Sequence, residues 1–246
     1  MAAIKNNCRK VICIGRNYAD HITELSSARP SQPFFFLKPP SSILLPDKGP
    51  IIRPRGTTVH HEVELGLVIG ETLPGKPLKN LSESDPKILD YIRCYFLGID
   101  LTARNVQDEA KRKGLPWTIA KGFDTFLPIS HEIPFDRLPD PHNVLLWLSV
   151  NGKMRQRDNT NLMLFQIPRI LSDISKVMTL EEGDVILTGT PKGVGPLKGG
   201  DVVKCGLEAD GLEVVEADIE VEVVDDTNEM GKEEERAGNT AGVRAG

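Results

Sequence analysis

An Asn151-Gly152 dipeptide between two extended runs is the feature that most restricts how this chain can fold. Residues 144–150 precede it and residues 153–156 follow it. Asn-Gly is a preferred centre of the tight type I′ turn, in which both central residues have positive φ. The sequence therefore predicts an antiparallel β-hairpin at this point.

Other apolar, β-branched runs predict more strands, and a few segments have helical composition or spacing. The expected strands lie at residues 10–14, 34–37, 51–53, 59–69, 94–100, 185–187, 201–205 and 214–224. The expected helices lie at residues 18–25, 86–93, 102–113 and 161–178, with Thr102 as a cap and Pro168 as a kink or boundary. Because strands outnumber helices and do not alternate regularly with them, we expect an α+β fold with a mixed, mainly antiparallel sheet.

The composition is that of an ordinary globular protein, with 39% hydrophobic residues in a chain of 246 and a net charge of −5. It has no basic concentration of the kind nucleic-acid binders carry, and no apolar run approaches the ~20 residues that span a membrane. The four cysteines form no CxxC pair, which favours buried or idle thiols over a zinc site. We expect an N-terminal extension at residues 1–9, one folded domain at 10–225 and a disordered acidic tail at 226–246.

Two carboxylates, Glu62 and Glu64, stand one residue apart in the run at 59–69. On a strand, residues i and i+2 point to the same face, so the two charges would lie side by side and repel each other. A bound cation relieves that repulsion, and oxygen ligands select magnesium, manganese or calcium over zinc. The alternative is a solvated strand face, which an isolated Glu-x-Glu pattern favours.

Three further residues have side chains and positions that a functional site could use. Asp100 ends an apolar strand, where a carboxylate serves either as a ligand or as a helix cap. His21 and Glu24 are three residues apart, so on a helical turn Glu24 could orient His21 as a general base for water. The alternative for this pair is a surface contact on a weak helix.

Cation and amide groups follow Asp100 at Arg104, Gln107 and Lys121. Such groups suit an anionic, oxygen-rich substrate, although ordinary helix-surface polarity would explain them equally well. The glycine-rich loop at 188–195 has backbone amides that could cradle a carboxylate, but it lacks the order of residues that defines a phosphate-binding Walker A loop.

Taken together and in this order, six segments resemble the fumarylacetoacetate hydrolase family. The resemblance covers residues 10–225, and it is closest to the short, single-domain subgroup of acylpyruvases and oxaloacetate decarboxylases or tautomerases. The segments are GRNYADH at 15–21, FLKP at 36–39, HHEVELG at 60–66, DLTAR at 100–104, GLPWTIAK at 114–121 and LTGTPKGVG at 187–195.

The resemblance implies a fold and a set of site residues. The fold would be a single-domain mixed β-sheet roll with few peripheral helices, assembled as a homodimer. Magnesium, or manganese in its place, would be held by Glu62, Glu64 and Asp100. His21 and Glu24 would form a catalytic dyad on a lid, with Lys121 also in the site, and the substrate pocket would be lined by Arg16, Gln107 and Thr190.

The resemblance also implies the chemistry. The substrates would be small 2-oxo or 2,4-dioxo acids, and the reactions acylpyruvate hydrolysis, oxaloacetate decarboxylation or keto–enol tautomerisation, each of which passes through an enolate of a 2-oxo acid. The sequence does not rank these reactions. A hydratase or isomerase-decarboxylase of aromatic catabolism would share the metal ligands, and a non-catalytic binding protein would have lost them. Eukaryotic relatives imply a mitochondrial location, and otherwise the cytoplasm is expected.

Overall fold

The computed structural model describes residues 2–25, 28–70 and 78–227. The expected tail at 226–246 therefore lies almost wholly outside the described residues. The described part folds into 17 strands and five α-helices. The helices are α1 Ala2–Asn7, α2 Ala19–Glu24, α3 Arg104–Lys113, α4 Thr118–Lys121 and α5 Ile167–Val177.

Short strands make up most of the regular secondary structure. They are β1 Val11–Gly15, β2 Phe34–Lys38, β3 Ile43–Leu44, β4 Ile51–Arg53, β5 Val59–His61, β6 Val63–Ile69, β7 Ile92–Ile99, β8 Thr102–Ala103, β9 Leu127–Pro128, β10 Ile133–Pro134, β11 Val144–Val150, β12 Lys153–Asn159, β13 Val185–Leu187, β14 Gly195–Pro196, β15 Val202–Ala209, β16 Leu212–Glu213 and β17 Ile219–Asp225.

Two larger sheets carry the fold. The first has the strand order β10-β7-β6-β13-β1-β2, and the second has β12-β11-β15-β17-β4. Strand β1 pairs in parallel with β13, and β17 pairs in parallel with β4, while the other pairings within these two sheets are antiparallel. The expected α+β class with a mixed, mainly antiparallel sheet is confirmed.

The predicted hairpin is present between β11 and β12. Asn151 and Gly152 have φ values of 52° and 74°, as a type I′ turn requires. A β-bulge shifts the register between Leu148 and Ser149, so that Leu148 pairs with Gln156. The bulge changes which side chains of the outer strand point inward.

Both faces of the first sheet are covered by apolar side chains. Ile12, Leu65 and Leu97 belong to the larger hydrophobic cluster, on one face. Val68 and Phe96 belong to a smaller cluster on the other face. A sheet buried on both sides leaves any charged side chain on these strands without bulk water, which sets the electrostatics of the site.

Some local predictions were wrong for identifiable reasons. The helix expected at 102–113 begins at Arg104, and Thr102 lies in β8, where its hydroxyl binds a carboxylate instead of capping the helix. The helix expected at 86–93 is only a 3-10 turn at Ile88–Tyr91, because β7 already begins at Ile92 and pairs with β6. The aromatic strand β2 is an edge strand, so its phenylalanines are half-buried.

All four cysteines lie in the described part, and each is buried with a free thiol, as the absence of CxxC spacing predicted. Among the described residues, no helix combines the length and the apolar character that a membrane crossing requires.

Candidate metal centre and catalytic dyad

Three carboxylates meet where strands β5, β6 and β7 end or break. Glu62 occupies the single-residue gap between β5 and β6, Glu64 lies on β6, and Asp100 directly follows β7. The antiparallel register places Val63 opposite Ile99, so Asp100 comes beside Glu62, and its N–H donates to the Glu62 carbonyl at 2.8 Å. One oxygen from each carboxylate lies within 4.8 Å of the others.

The environment of this triad is not a solvated strand face. Glu62, Glu64 and Asp100 are 6%, 2% and 1% exposed. Burying three carboxylates at this depth costs a large free energy unless cations compensate their charges. The triad is therefore not a group of ordinary solvent-exposed acids.

Three protein cations supply part of that compensation. Lys121 Nζ donates to Glu62 at 2.9 Å and to Asp100 at 2.6 Å, and Lys38 Nζ donates to the other Asp100 oxygen at 2.7 Å. The Arg104 guanidinium also binds Glu62. Burial raises the pKa of Glu62, but Lys121 and Arg104 outweigh burial and hold that pKa well below its ordinary value.

Glu64 has a different environment from its two neighbours. Its carboxylate accepts a hydrogen bond from the backbone N–H of Gly189 at 2.6 Å. Burial and the negative charge of Asp100 raise its pKa well above the ordinary value. A further cation beside Glu64 would reverse this shift. The all-oxygen donor set, in which, among the described residues, a backbone N–H and no direct ion pair compensates Glu64, fits a hard divalent cation such as magnesium or manganese.

The predicted dyad lies beside this triad. His21, on α2, is 5% exposed, and its Nδ1 lies 3.5 Å from Glu24 Oε2. Burial lowers the pKa of His21, and Glu62 and Glu24 offset that effect only in part, so the imidazole is held neutral and can accept a proton. Both Glu24 oxygens also accept from the Gly193 N–H at 3.1 Å, which joins α2 to the loop at 188–195.

Of the other predicted residues, Lys121, Gln107 and Thr190 are joined to the triad directly or through one neighbouring residue, whereas Arg16 contacts Phe34 and the Ala28 carbonyl. Lys121 is buried within the triad. Burial alone would lower the pKa of Lys121, but Asp100 and Glu62 raise it above its ordinary value. Gln107 is buried and accepts from Arg104 at 2.6 Å, and Thr190 is buried and donates to the Val63 carbonyl at 2.8 Å. Arg16 has a positive φ of 56°, and its guanidinium lies 5.5 Å from the centre of the Phe34 ring.

Two residues of the site were not predicted. Lys38 lies within the FLKP segment, but nothing in the local pattern shows that a lysine at the end of an edge strand will be fully buried against Asp100. Gln156 carries no sequence signal at all, yet it is fully buried and bonded to Thr190 in the loop at 188–195 and to Val63 in strand β6.

A family model described as the fumarylacetoacetate (FAA) hydrolase C-terminal region matches residues 10–220. The chain belongs to the fumarylacetoacetate hydrolase family. It is an enzyme of that family with an intact acidic triad, and the predicted resemblance is confirmed.

Named relatives of this family enzyme catalyse related reactions. The mitochondrial oxaloacetate tautomerase of Schizosaccharomyces pombe is 55% identical over 199 residues, which cover 80% of this chain and 88% of the relative. The mitochondrial oxaloacetate decarboxylase of Dictyostelium discoideum is 52% identical over 200 residues, with coverages of 81% and 88%. Fumarylpyruvate hydrolase from Pseudomonas aeruginosa, solved with Mn²⁺ and pyruvate, superposes with a TM-score of 0.79 at 30% identity and coverages of 89% and 91%.

Proposed function

We propose that this family enzyme uses a divalent cation, magnesium or manganese, to convert oxaloacetate between its keto and enol forms, with decarboxylation, through the enolate of pyruvate, as a related reaction of the same site. One observation carries this proposal: three buried carboxylates and three protein cations meet at one point of the fold. The oxaloacetate relatives support the choice of substrate.

The charges of the site favour an anionic substrate. Glu62, Glu64 and Asp100 contribute three negative charges when ionised, and Lys38, Lys121 and Arg104 contribute three positive ones. Glu24 adds a fourth carboxylate beside His21, so a bound divalent cation would leave the site with a net positive charge, which an anionic 2-oxo acid offsets. In a site shielded from water, an unbalanced charge is expensive.

The metal ligands in this proposal are Glu62, Glu64 and Asp100, and a divalent cation bound there would supply Lewis-acid polarisation of the 2-oxo group. The neutral His21 accepts the proton that leaves C3, and Glu24 stabilises the imidazolium that results. Lys121 stabilises the negative charge that develops in the enolate, because its ammonium is fixed within the site. In decarboxylation, the C3–C4 bond would break instead, carbon dioxide would leave, and the electron pair of that bond would form the enolate of pyruvate, which a proton at C3 converts to pyruvate.

A second candidate is acylpyruvate hydrolysis, which the His21–Glu24 pair specifically favours. Tautomerisation needs only a proton carrier, whereas a carboxylate-oriented imidazole is the arrangement that activates water. Water would attack C4, the C3–C4 bond would break, and a carboxylic acid and pyruvate would result. The fumarylpyruvate hydrolase likeness supports this candidate.

The first experiment compares enol-oxaloacetate with acetylpyruvate on metal-free and Mn²⁺- or Mg²⁺-loaded protein. The variants are Glu62→Ala and, as a control, Glu132→Ala, whose carboxylate pairs with Arg93 away from the triad. We expect metal-dependent tautomerisation that Glu62→Ala abolishes and Glu132→Ala retains. Fast acetylpyruvate hydrolysis would instead make the second candidate the main activity. If neither substrate turned over, the hydratase or isomerase type of reaction would be favoured.

A His21→Asn variant tests the dyad, on which both candidates depend. We expect it to bind Mn²⁺ as wild type does, because His21 is not a proposed ligand, and to lose acylpyruvate hydrolysis by about 10²–10⁴-fold. Near-normal hydrolysis in this variant would contradict the dyad.

Location and assembly are part of the same proposal. Because both named eukaryotic relatives are mitochondrial, we propose a mitochondrial location for this chain, with a homodimer as the assembly. Fractionation and analytical ultracentrifugation test these two points separately from the chemistry.

A further inference from the structure

Gln156 is a buried amide on a strand whose other side chains face outward. Strand β12 is the outer strand of the second sheet, and its residues are exposed or half-buried apart from Gln156, which is 0% exposed. Burying an amide is costly unless each of its polar atoms finds a partner. Specific hydrogen-bond partners must therefore compensate the buried amide of Gln156.

All the hydrogen-bonding capacity that the buried side chain needs is used. Its Oε1 accepts from the backbone N–H of Val63 at 3.1 Å and faces Nδ1 of His61 at 3.0 Å. Its Nε2 donates to Thr190 Oγ1 and to the carbonyl of Pro191, both at 2.9 Å. The Val63 N–H can only donate and the Pro191 carbonyl can only accept, so the orientation of the amide is fixed by its partners.

These bonds converge on Val63, the residue between two proposed metal ligands. Gln156 binds the N–H of Val63, and the Thr190 hydroxyl donates to its carbonyl at 2.8 Å. Strand β7 pairs with β6 as far as Val63, but on the opposite side β13 pairs with β6 only at residues 66–68. The side chains of Gln156 and Thr190 therefore take the place of a strand partner at the N–H and the carbonyl of Val63.

The loop at 188–195 is attached to β12 at a neighbouring point as well. Gly193 has a φ of 93°, and a Cβ at this position would collide with the carbonyl oxygen of Arg155, which precedes Gln156. The loop also donates its Gly189 N–H to Glu64 and its Gly193 N–H to Glu24. One loop thus contacts a proposed metal ligand, the dyad and strand β12.

We propose that Gln156 is a positioning residue that sets the spacing of Glu62 and Glu64 and couples it to the placement of the loop at 188–195. It does not contact the cation or the substrate. It acts through Val63 on the metal ligands and through Thr190 and Pro191 on the substrate side. The inference rests on the proposed metal site.

The test substitutes Gln156→Met, which keeps the length of the side chain and removes its hydrogen bonds. The control is Thr160→Val, because Thr160 is also fully buried and binds backbone at Val144 and Pro141, away from the triad. Calorimetry measures Mn²⁺ binding to metal-free protein, and steady-state kinetics with oxaloacetate separate KM from kcat. Outer-shell substitutions typically weaken metal binding by about 10–100-fold, and we expect that range for Gln156→Met.

Thr160→Val should lose stability and bind Mn²⁺ as wild type does. Folded Gln156→Met with unchanged Mn²⁺ affinity would overturn the proposal.

If Gln156→Met does not fold, Gln156→Glu replaces it, since it keeps the acceptor toward Val63 and loses the donor toward Thr190 and Pro191. A raised KM in Gln156→Glu would support the coupling, and a wild-type KM would overturn it. If wild-type protein itself failed to bind Mn²⁺, the metal proposal would fail before the role of Gln156 was reached.

Discussion

The ammonium group of Lys38 lies 2.7 Å from Oδ1 of Asp100, and both side chains are buried. Lys38 also donates to the Leu101 carbonyl at 3.1 Å, so its position is fixed by two acceptors. The other oxygen of Asp100 is bound by Lys121. Protein cations therefore compensate both oxygens of Asp100. Any further cation at the triad must share the negative charge of Asp100 with Lys38 and Lys121.

Replacement of Lys38 by methionine removes one of those cations and leaves Asp100 less compensated. Breaking a buried pair by removing one partner typically costs about 3–5 kcal/mol, and we expect the metal-free Lys38→Met protein to lose stability in that range. Because Lys38 would no longer repel a cation at the triad, Mn²⁺ should raise the melting temperature of this variant more than that of wild type.

Lys10→Met is the matched control for this substitution. Lys10 pairs with the buried Asp184 at 2.6 Å, away from the triad. The Lys10→Met substitution should destabilise the protein, but Mn²⁺ should raise the melting temperature of this variant by the same amount as that of wild type. Thermal melts with and without Mn²⁺ give both quantities, and an equal metal response in Lys38→Met and Lys10→Met would contradict the role given to Lys38.

Substitutions of two acidic residues on the short helix α2 should affect turnover differently. Asp20 forms an exposed pair with Lys192 at 2.6 Å, and exposed pairs contribute little, so Asp20→Asn should leave turnover nearly unchanged. Glu24 faces His21 and accepts from Gly193. Glu24→Gln removes the charge that stabilises the imidazolium, and we expect kcat to fall by about 10²-fold or more. Parallel kcat and KM measurements check this, and equal effects of the two substitutions would rule out a special role for Glu24.

The strand pattern and the motif order predicted much of this protein. The type I′ hairpin, the class of the sheet and the shared face of Glu62 and Glu64 follow from short-range rules of turn chemistry and side-chain alternation, whereas the meeting of this pair with Asp100 was implied only by the family resemblance. Such rules work because each depends on neighbouring residues.

What the sequence did not predict depends on contacts between distant segments. Thr102 has the composition of a helix cap, but a carboxylate 40 residues earlier takes its hydroxyl. Lys38 and Gln156 are ordinary surface residue types by composition, and both are fully buried because a distant partner compensates them. The break between β5 and β6 is likewise set by the approach of β7, which no local pattern in residues 59–69 reveals.

The loop at 188–195 contains a glycine whose replacement separates backbone strain from steric collision. Gly193 and Gly211 both have positive φ, at 93° and 77°, but a Cβ at Gly211 would meet nothing within 4 Å. Gly211→Ala should therefore cost only the conformational strain, about 1–2 kcal/mol. Gly193→Ala adds a collision with the Arg155 carbonyl and displaces the N–H that binds Glu24. We expect a larger loss of stability and a raised KM, measured by denaturant unfolding and kinetics; intact kinetics in Gly193→Ala would show that the loop tolerates displacement.

The stability of the fold should also depend on pH through His142, far from the catalytic residues in sequence. Nε2 of His142 accepts the backbone N–H of Ile167, in the first turn of α5, at 3.3 Å, so the folded state needs a neutral ring. Burial lowers the pKa of His142 below the unfolded value of 6.5, and the negative charge of Asp140 offsets only part of that effect.

A histidine whose folded pKa is lowered contributes its stability fully above the unfolded pKa and loses it as the pH falls toward the folded pKa, because the unfolded chain then binds the proton first. Denaturant unfolding at about pH 7.5 and about pH 5.5 therefore should show a smaller loss of stability on acidification for His142→Gln than for wild type. The glutamine has no titrating ring, so the difference between the two proteins isolates His142 from the carboxylates. Equal losses in both proteins would mean that His142 is not the group that couples α5 to pH.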